Sequence, residues 1–431
     1  MRLFGNMEVK DNNLYVGGIN AVDLAGRFKT PLYIIDEDLV RERCKIYYRT
    51  FEGYENNKIT YAGKAFLTLA MCKIIDSEGL YLDVVSGGEL YTAFKSGFPM
   101  EKIYFHGNNK TAEEIKMGID FKVGRFVVDN LCEMEEVNSI AKEEGRVQKI
   151  LLRVTPGIEA HTHEYIKTGQ VDSKFGFTML NGETMEFIKK AMNMSNLEFV
   201  GVHCHIGSEI FELEPYEDEV EIMMNLVKKV KDETGYEIEE LDLGGGFGIY
   251  YSEEDSPRPI ESFCSAILKK AKLESEKLNI KLPTLVIEPG RSIVGNAGTT
   301  LYTVGATKDI PGVRKYAFVD GGMTDNIRPA LYKAHYECAV ANRVHSDCEE
   351  TVTIGGKCCE SGDILIKDAK LPPVRTGDIL AVFSTGAYCY SMASNYNKVP
   401  IPAVVLVKNG EARLISKRQS FDEMIENEIM V

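Results

Sequence analysis

Eight short β-rich runs, each followed by a stretch of helical spacing, constrain this chain more than any other feature. They fall at residues 58–62, 79–85, 102–105, 125–128, 149–154, 197–204, 239–243 and 283–287. Between them, Leu131, Met134, Val137, Ile140 and Ala141 recur at helix spacing, and Thr111 with Glu114 forms a capping-box pattern. Residues 215–234 and 260–278 repeat the helical pattern. Eight strand–helix units in succession predict a (β/α)8 TIM-like barrel of about 250 residues, with a doubly wound open sheet as the alternative. The ends of the runs favour the barrel. Nearly all finish in small or reactive residues: Lys64, Asp83 with Ser86, His106 with Asn108, Asp129, Arg153, His205, the glycines 244–246, and Glu288 with Arg291. In a barrel the C-terminal ends of all strands open on one mouth, so these groups converge.

After about residue 295 the pattern changes. Runs at 301–306, 315–320, 350–354, 378–383 and 403–407 come with Gly/Asp turns and little helical spacing, which predicts a β-sandwich or small β-barrel domain. Strand-like residues 14–16 and 31–35 lie outside the count of eight and are expected to join it. The expected domains are therefore a barrel over 36–290 and a discontinuous β domain of 1–35 and 291–431. The chain has 431 residues, 44% hydrophobic and 27% charged, which excludes a disordered or fibrous protein. No apolar run reaches the ~18 residues of a membrane helix. The first residues carry Arg2, Glu8, Lys10 and Asp11 without an apolar core, so no secretory signal is expected. A net charge of −15 argues against nucleic acid or an anionic membrane as partner. Ten cysteines without regular spacing make no disulfide framework. The expectation is a reduced, cytoplasmic enzyme acting on a small molecule.

Lys64 stands in Tyr61-Ala62-Gly63-Lys64-Ala65-Phe66, where an apolar setting would desolvate the amine and favour the neutral form that a Schiff base requires. Taken alone, it reads as well as a surface lysine. Gly244-Gly245-Gly246 follows an apolar strand and suits a phosphate or a tight turn; it is neither a dinucleotide fingerprint nor a P-loop. Glu288-Pro289-Gly290-Arg291 ends another apolar strand, where the carboxylate pairs either with Arg291 or with a protonated heteroaromatic nitrogen. His203 with His205, and His161 with His163, are His-x-His pairs that could ligate zinc, but no carboxylate or cysteine stands beside them at metal spacing. No metal is expected. A histidine at a barrel mouth can instead stack on a planar ring, and Ser208 can bond a phosphate. Arg328 and Tyr332, four apart, could clamp a carboxylate or simply pack. Cys358, Cys359 and Glu360 place thiols beside a carboxylate, and Tyr388 lies in a polar, aromatic loop.

Together these blocks resemble the fold-type III pyridoxal-phosphate decarboxylases, an alanine-racemase-like barrel followed by a β domain. Tyr-Ala-x-Lys-Ala, Asp83-x-x-Ser86-x-Gly88-Glu89, His-x-His-Ile-Gly-Ser, the three glycines, Glu-Pro-Gly-Arg and Cys-Glu-Ser-Gly-Asp occur in the family's order, from about residue 15 to 417. Three blocks are similar to its diaminopimelate decarboxylase branch: 163–169 leading to 173–176, Asn296-Ala297-Gly298, and 391–397.

The resemblance implies pyridoxal 5′-phosphate as cofactor, bound covalently by Lys64. It implies that Glu288 pairs the pyridine nitrogen and His205 stacks on the ring. Asp83, Ser208, Gly244, Gly245, Gly246, Pro289, Gly290, Arg291 and Tyr388 complete the cofactor site. Arg291, Arg328, Tyr332 and Tyr388 would meet a distal carboxylate and Glu360 a distal amine, with Cys359, directly before Glu-Ser, as proton donor. The implied reaction is decarboxylation of meso-diaminopimelate to L-lysine, in a homodimer whose active sites are composite. Two arginines suit a distal carboxylate and argue against ornithine or arginine as substrate. Carboxynorspermidine, which keeps a carboxylate, stays open, as does a non-catalytic cofactor-binding homologue.

Overall fold

A computed structural model of the chain describes residues 1–157, 173–179, 182–346 and 349–431. His161, His163 and the 163–169 block lie outside the described residues.

All eight early runs form strands: Asn57–Ala62, Tyr81–Val84, Ile103–Phe105, Arg125–Val128, Gln148–Thr155, Leu197–His203, Glu240–Asp242 and Thr284–Ile287. Each pairs in parallel with the next, and Thr284–Ile287 pairs with Asn57–Ala62, closing the sheet. Closure excludes the open doubly wound alternative. Continuous apolar runs such as Phe126-Val127-Val128 are buried, as expected of strands covered on both faces. The capping box forms as spaced: Thr111 Oγ1 accepts from Glu114 N–H at 3.2 Å, and Glu114 Oε2 accepts from Thr111 N–H at 3.0 Å. It starts helix Ala112–Phe121. Near the strands' N-terminal ends, buried Glu240 accepts from Tyr104 Oη at 2.6 Å and pairs with Arg125 and Lys58. This charged cluster lies at the end opposite the expected site, where a buried carboxylate needs partners but no reactivity.

The chain divides into two compact units, 43–248 with 257–292, and 1–42 with 249–256 and 293–431. In the second, Ile364–Leu371, Glu350–Gly355, Arg314–Val319, Gly298–Ile310, Leu32–Asp36, Ala403–Lys408 and Glu411–Ser416 lie side by side in that order. The N-terminal strand Leu32–Asp36 sits inside this sheet, antiparallel to Gly298–Ile310 and parallel to Ala403–Lys408. The sequence pattern signalled neither Ile364–Leu371, whose exposed positions are polar, nor the grouping of residues 249–256 with the β-rich unit.

Candidate active site

The barrel delivers its chemistry at the ends of its strands, where backbone register fixes side-chain position. Glu288 follows Thr284–Ile287 directly and is buried. Its Oε1 lies 2.7 Å from His106 Nε2 and its Oε2 3.2 Å from His203 Nε2. Burial by itself would raise the Glu288 carboxyl; the two imidazoles outweigh it and hold the group well below the usual carboxylate range. Glu288 therefore pairs with these histidines and not with Arg291.

His205 follows the sixth strand, and its Nδ1 accepts from Gly245 N–H at 3.3 Å. Burial, then the positive charges of Lys64 and Arg153, push it well below the ordinary histidine range. It is thus a neutral ring with Nδ1 as acceptor. Asp83 is the last residue but one of the second strand, buried, with Oδ1 lacking a hydrogen-bond partner among the described residues. The rest of its block builds local structure: Ser86 Oγ accepts from Glu89 N–H at 3.3 Å and caps helix Gly87–Ser96.

Lys64 corrects one expectation. It lies in the 3-10 turn Gly63–Ala65 just past the first strand, where its neighbours Gly63 and Ala65 are buried but Lys64 is exposed. It acts electrostatically on Asp83, Glu89 and His205, so it faces the same mouth.

The three glycines are required by close approach. A Cβ on Gly244, whose φ is +62°, would lie 2.7 Å from His205 Nδ1; one on Gly245 would lie 2.2 Å from Glu288 O. On Gly246, with φ +99°, it would lie 2.3 Å from Gly207 O. Gly290 packs equally closely, its Cβ position 2.9 Å from Ala62 Cβ, and Pro289 O accepts from Ala62 N–H at 3.1 Å. Buried Arg291 donates from Nη2 to Ser208 Oγ at 3.0 Å and pairs through Nε with Glu209 Oε1 at 2.6 Å. Glu209 holds a left-handed φ of +59° to do so. Sequence reasoning missed Glu209, and it left His106, His203 and Asp242 without roles. The signals available were the polar residue at each strand end and the paired histidines.

The β-rich unit carries the remaining expected residues. Arg328 is buried, and its Nε donates to Tyr336 Oη at 2.7 Å. Its guanidinium carbon lies 5.5, 5.4 and 5.8 Å from the ring centres of Tyr251, Tyr332 and Tyr388. The arginine–tyrosine pair read from spacing is thus part of a three-ring cage of Tyr251, Tyr332 and Tyr388, to which Tyr336 adds its hydroxyl. Tyr388 takes a φ of +61°. Cys359 is exposed, and its N–H donates to Asn397 Oδ1 at 2.7 Å, which ties it to the 391–397 block. Cys358 is half-buried, and burial pushes its thiol up to about 11. Exposed Glu360 accepts from Gly362 N–H at 3.2 Å. Asp363 binds the N–H groups of both Met323 and Cys358, at 2.6 and 2.8 Å, and so links the loop before Arg328 to the thiol loop.

Residues 37–295 match the pyridoxal-binding domain of pyridoxal-dependent decarboxylases. The diaminopimelate decarboxylase of Bacillus subtilis (strain 168) is 50% identical, over 96% of this chain and 94% of that protein. That of Staphylococcus aureus (strain COL) is 48% identical, over 98% and 100%. The crystal structure of the M. jannaschii diaminopimelate decarboxylase with L-lysine superimposes with a TM-score of 0.93 at 37% identity, covering 99% of this chain and 98% of that one. With its barrel, its strand-end residues and these full-length matches, the chain belongs to the pyridoxal-dependent decarboxylases, in the diaminopimelate decarboxylase family.

Proposed function

We propose that the chain decarboxylates meso-2,6-diaminopimelate to L-lysine and carbon dioxide, the last step of lysine biosynthesis. One observation carries the assignment of chemistry: an ionised Glu288 at the end of the last barrel strand, fixed by two imidazoles, beside the glycine turn. These residues fit pyridoxal 5′-phosphate. His205 offers a neutral ring, and Glu288 offers a fixed negative charge. When bound, the cofactor supplies the electron sink for the bond that breaks.

The chain's own residues do the rest. Lys64 would hold the cofactor through its amine. Glu288 would hold a proton at the ring nitrogen, His205 would pack on the ring, and Ser208, the glycine turn and Tyr388 would hold the phosphate. Arg291 is divided between Ser208 and Glu209, so it orients this corner as well as presenting charge to the substrate. Arg328, caged by rings, and Tyr332 take the distal carboxylate, and Glu360 the distal ammonium. The Cα–carboxylate bond breaks, carbon dioxide leaves, and Cys359 Sγ gives the proton that replaces it. The working unit is a homodimer in which Lys64 comes from one copy and Cys359 and Glu360 from the other. It works in the cytoplasm, where its cysteines stay reduced.

The test is carbon dioxide release from meso-diaminopimelate, carboxynorspermidine, L-ornithine and L-arginine. Release from meso-diaminopimelate with far the highest kcat/KM is expected. Preference for any of the other three overturns the substrate assignment, and no release from any leaves a non-catalytic homologue.

A further inference from the structure

Four proton-bearing groups meet at the base of the barrel mouth. His106 follows the third barrel strand, His203 ends the sixth, Asp242 ends the seventh and Glu288 follows the eighth. All are buried, and one nitrogen or carboxylate oxygen from each lies within 4.8 Å of the other three. The histidines already face the two oxygens of Glu288, at 2.7 and 3.2 Å. Asp242 Oδ1 accepts from Gly244 N–H at 2.9 Å, while Oδ2 is buried without a hydrogen-bond partner among the described residues. Two carboxylates this close in a dry core cannot both be ionised. A proton on Asp242 removes the repulsion and turns the orphaned side into a donor toward Glu288. Burial, then the charge of Glu288, pushes Asp242 well above the carboxylate range. Burial lowers His203 to about 3, so it donates as a neutral imidazole. The other charges acting on the group are Asp83, Lys64 and Arg153.

Resting on the reading that this site holds pyridoxal 5′-phosphate, we propose that Asp242, His106 and His203 are positioning residues whose contacts with Glu288, two imidazole hydrogen bonds and the facing carboxyl of Asp242, keep the shared proton on the cofactor's ring nitrogen. Each donor to a carboxylate lowers its affinity for a further proton. With the two imidazoles donating and a protonated Asp242 facing it, Glu288 stays the weaker base of the Glu288–nitrogen pair and the ring stays cationic, the form that draws electrons best. Loss of a donor strengthens Glu288 as a base and moves the proton toward it. None of the three need touch the substrate.

The test uses the holoenzyme carrying cofactor labelled with 15N at the ring nitrogen, read by NMR. The wild-type shift is expected in the pyridinium range. Asp242→Leu and His203→Leu should move it toward the free-pyridine value, while Asp242→Asn and His203→Gln, which keep an N–H donor, should stay near wild type. An unmoved shift in both leucine variants overturns the proposal, as does a neutral ring nitrogen in the wild type. If the leucine variants fail to fold, the isosteric pair decides, because loss of the ring proton there contradicts the donor role. A stoichiometric metal ion in the purified protein would also overturn it, since the four groups would then be ligands. Wild-type protein that fails to take up the cofactor defeats the reading of the site itself; a protonated ring indifferent to the substitutions defeats this inference alone.

Discussion

Glu288 and Cys359 carry complementary halves of the proposed chemistry under opposite conditions. Glu288 is buried at the end of a barrel strand, with imidazole nitrogens at 2.7 and 3.2 Å. Cys359 is exposed on a loop of the β-rich unit, positioned through its backbone N–H on Asn397. The closed sheet sets the first group before any ligand arrives. The second is placed by loop bonds alone, so its geometry depends on what covers that loop. The proposed charge-holding group sits on the closed sheet, and the proposed proton donor sits on a loop.

The sharpest way to break this comparison is at the barrel. Lys64→Ala should abolish the borohydride-reducible link between lysine and cofactor and lower turnover by orders of magnitude. A reducible lysine adduct persisting at the site would contradict the assignment. Next is the thiol. Cys359→Ala should cost about 10²–10⁴ in kcat, the range for a positioned proton donor. Cys358→Ala should cost far less, because burial leaves that thiol a poor partner at about 11. Mixing Lys64→Ala with Cys359→Ala subunits tests the shared site directly. After statistical exchange about a quarter of wild-type activity should return, because heterodimers with both lesions in one composite site keep the other intact. Verified exchange without recovery would put both groups in one subunit.

Substrate recognition should respond less. Arg328→Ala removes a charge-assisted contact worth about 1.5–3 kcal/mol, so KM should rise roughly ten- to a hundredfold. Arg328→Lys should recover only part, since a point charge lacks the fork. Tyr336→Phe deletes the hydrogen bond to Arg328 Nε and, at about 0.5–1.5 kcal/mol, should raise KM a few-fold with kcat kept. A fall in kcat at constant KM would move Tyr336 out of a purely orienting role.

The two regions also differed in how far the sequence revealed them. Barrel strands were visible because each is a short buried apolar run closed by a polar residue, and that pattern survives without neighbours. The β-rich unit was visible only in its buried strands. Ile364–Leu371 lies at one edge of the sheet with its exposed positions polar, so it carried little signal. In the site, residue types at strand ends marked Lys64, His205, the glycines and Glu288. Their partners were hidden because register, not spacing, brings them together: His106 meets Glu288 across 182 residues of chain. The same limit hid the left-handed Glu209 beneath Arg291 and the ring cage around Arg328. Lys64 itself is exposed, because the 3-10 turn past the first strand carries it beyond the buried apolar run.

The smallest effect compares the regions through stability, since neither group involved touches the chemistry. In the barrel, Glu219 is fully buried, accepts from Cys204 Sγ at 3.0 Å, and is raised by burial to about 8. In the β-rich unit, buried Asp325 accepts from Tyr302 Oη and from Gly322 N–H and is raised by burial to about 7. Both bind a proton more tightly folded than unfolded. Their contribution is therefore full below the unfolded values of 4.5 and 3.8, and it is lost as pH rises toward about 8 and about 7 respectively. Between pH 7 and 8 Asp325 has little left to lose, whereas Glu219 is still titrating. Thermal unfolding followed from pH 4 to 8 should separate them. Asp325→Asn should flatten the dependence below pH 7, and Glu219→Gln should flatten it up to pH 8, by a few degrees in midpoint at the upper end. If Glu219→Gln keeps the wild-type slope between pH 7 and 8, its carboxyl is already ionised in the folded barrel, and its buried Oε2, unpartnered among the described residues, must be met by another donor.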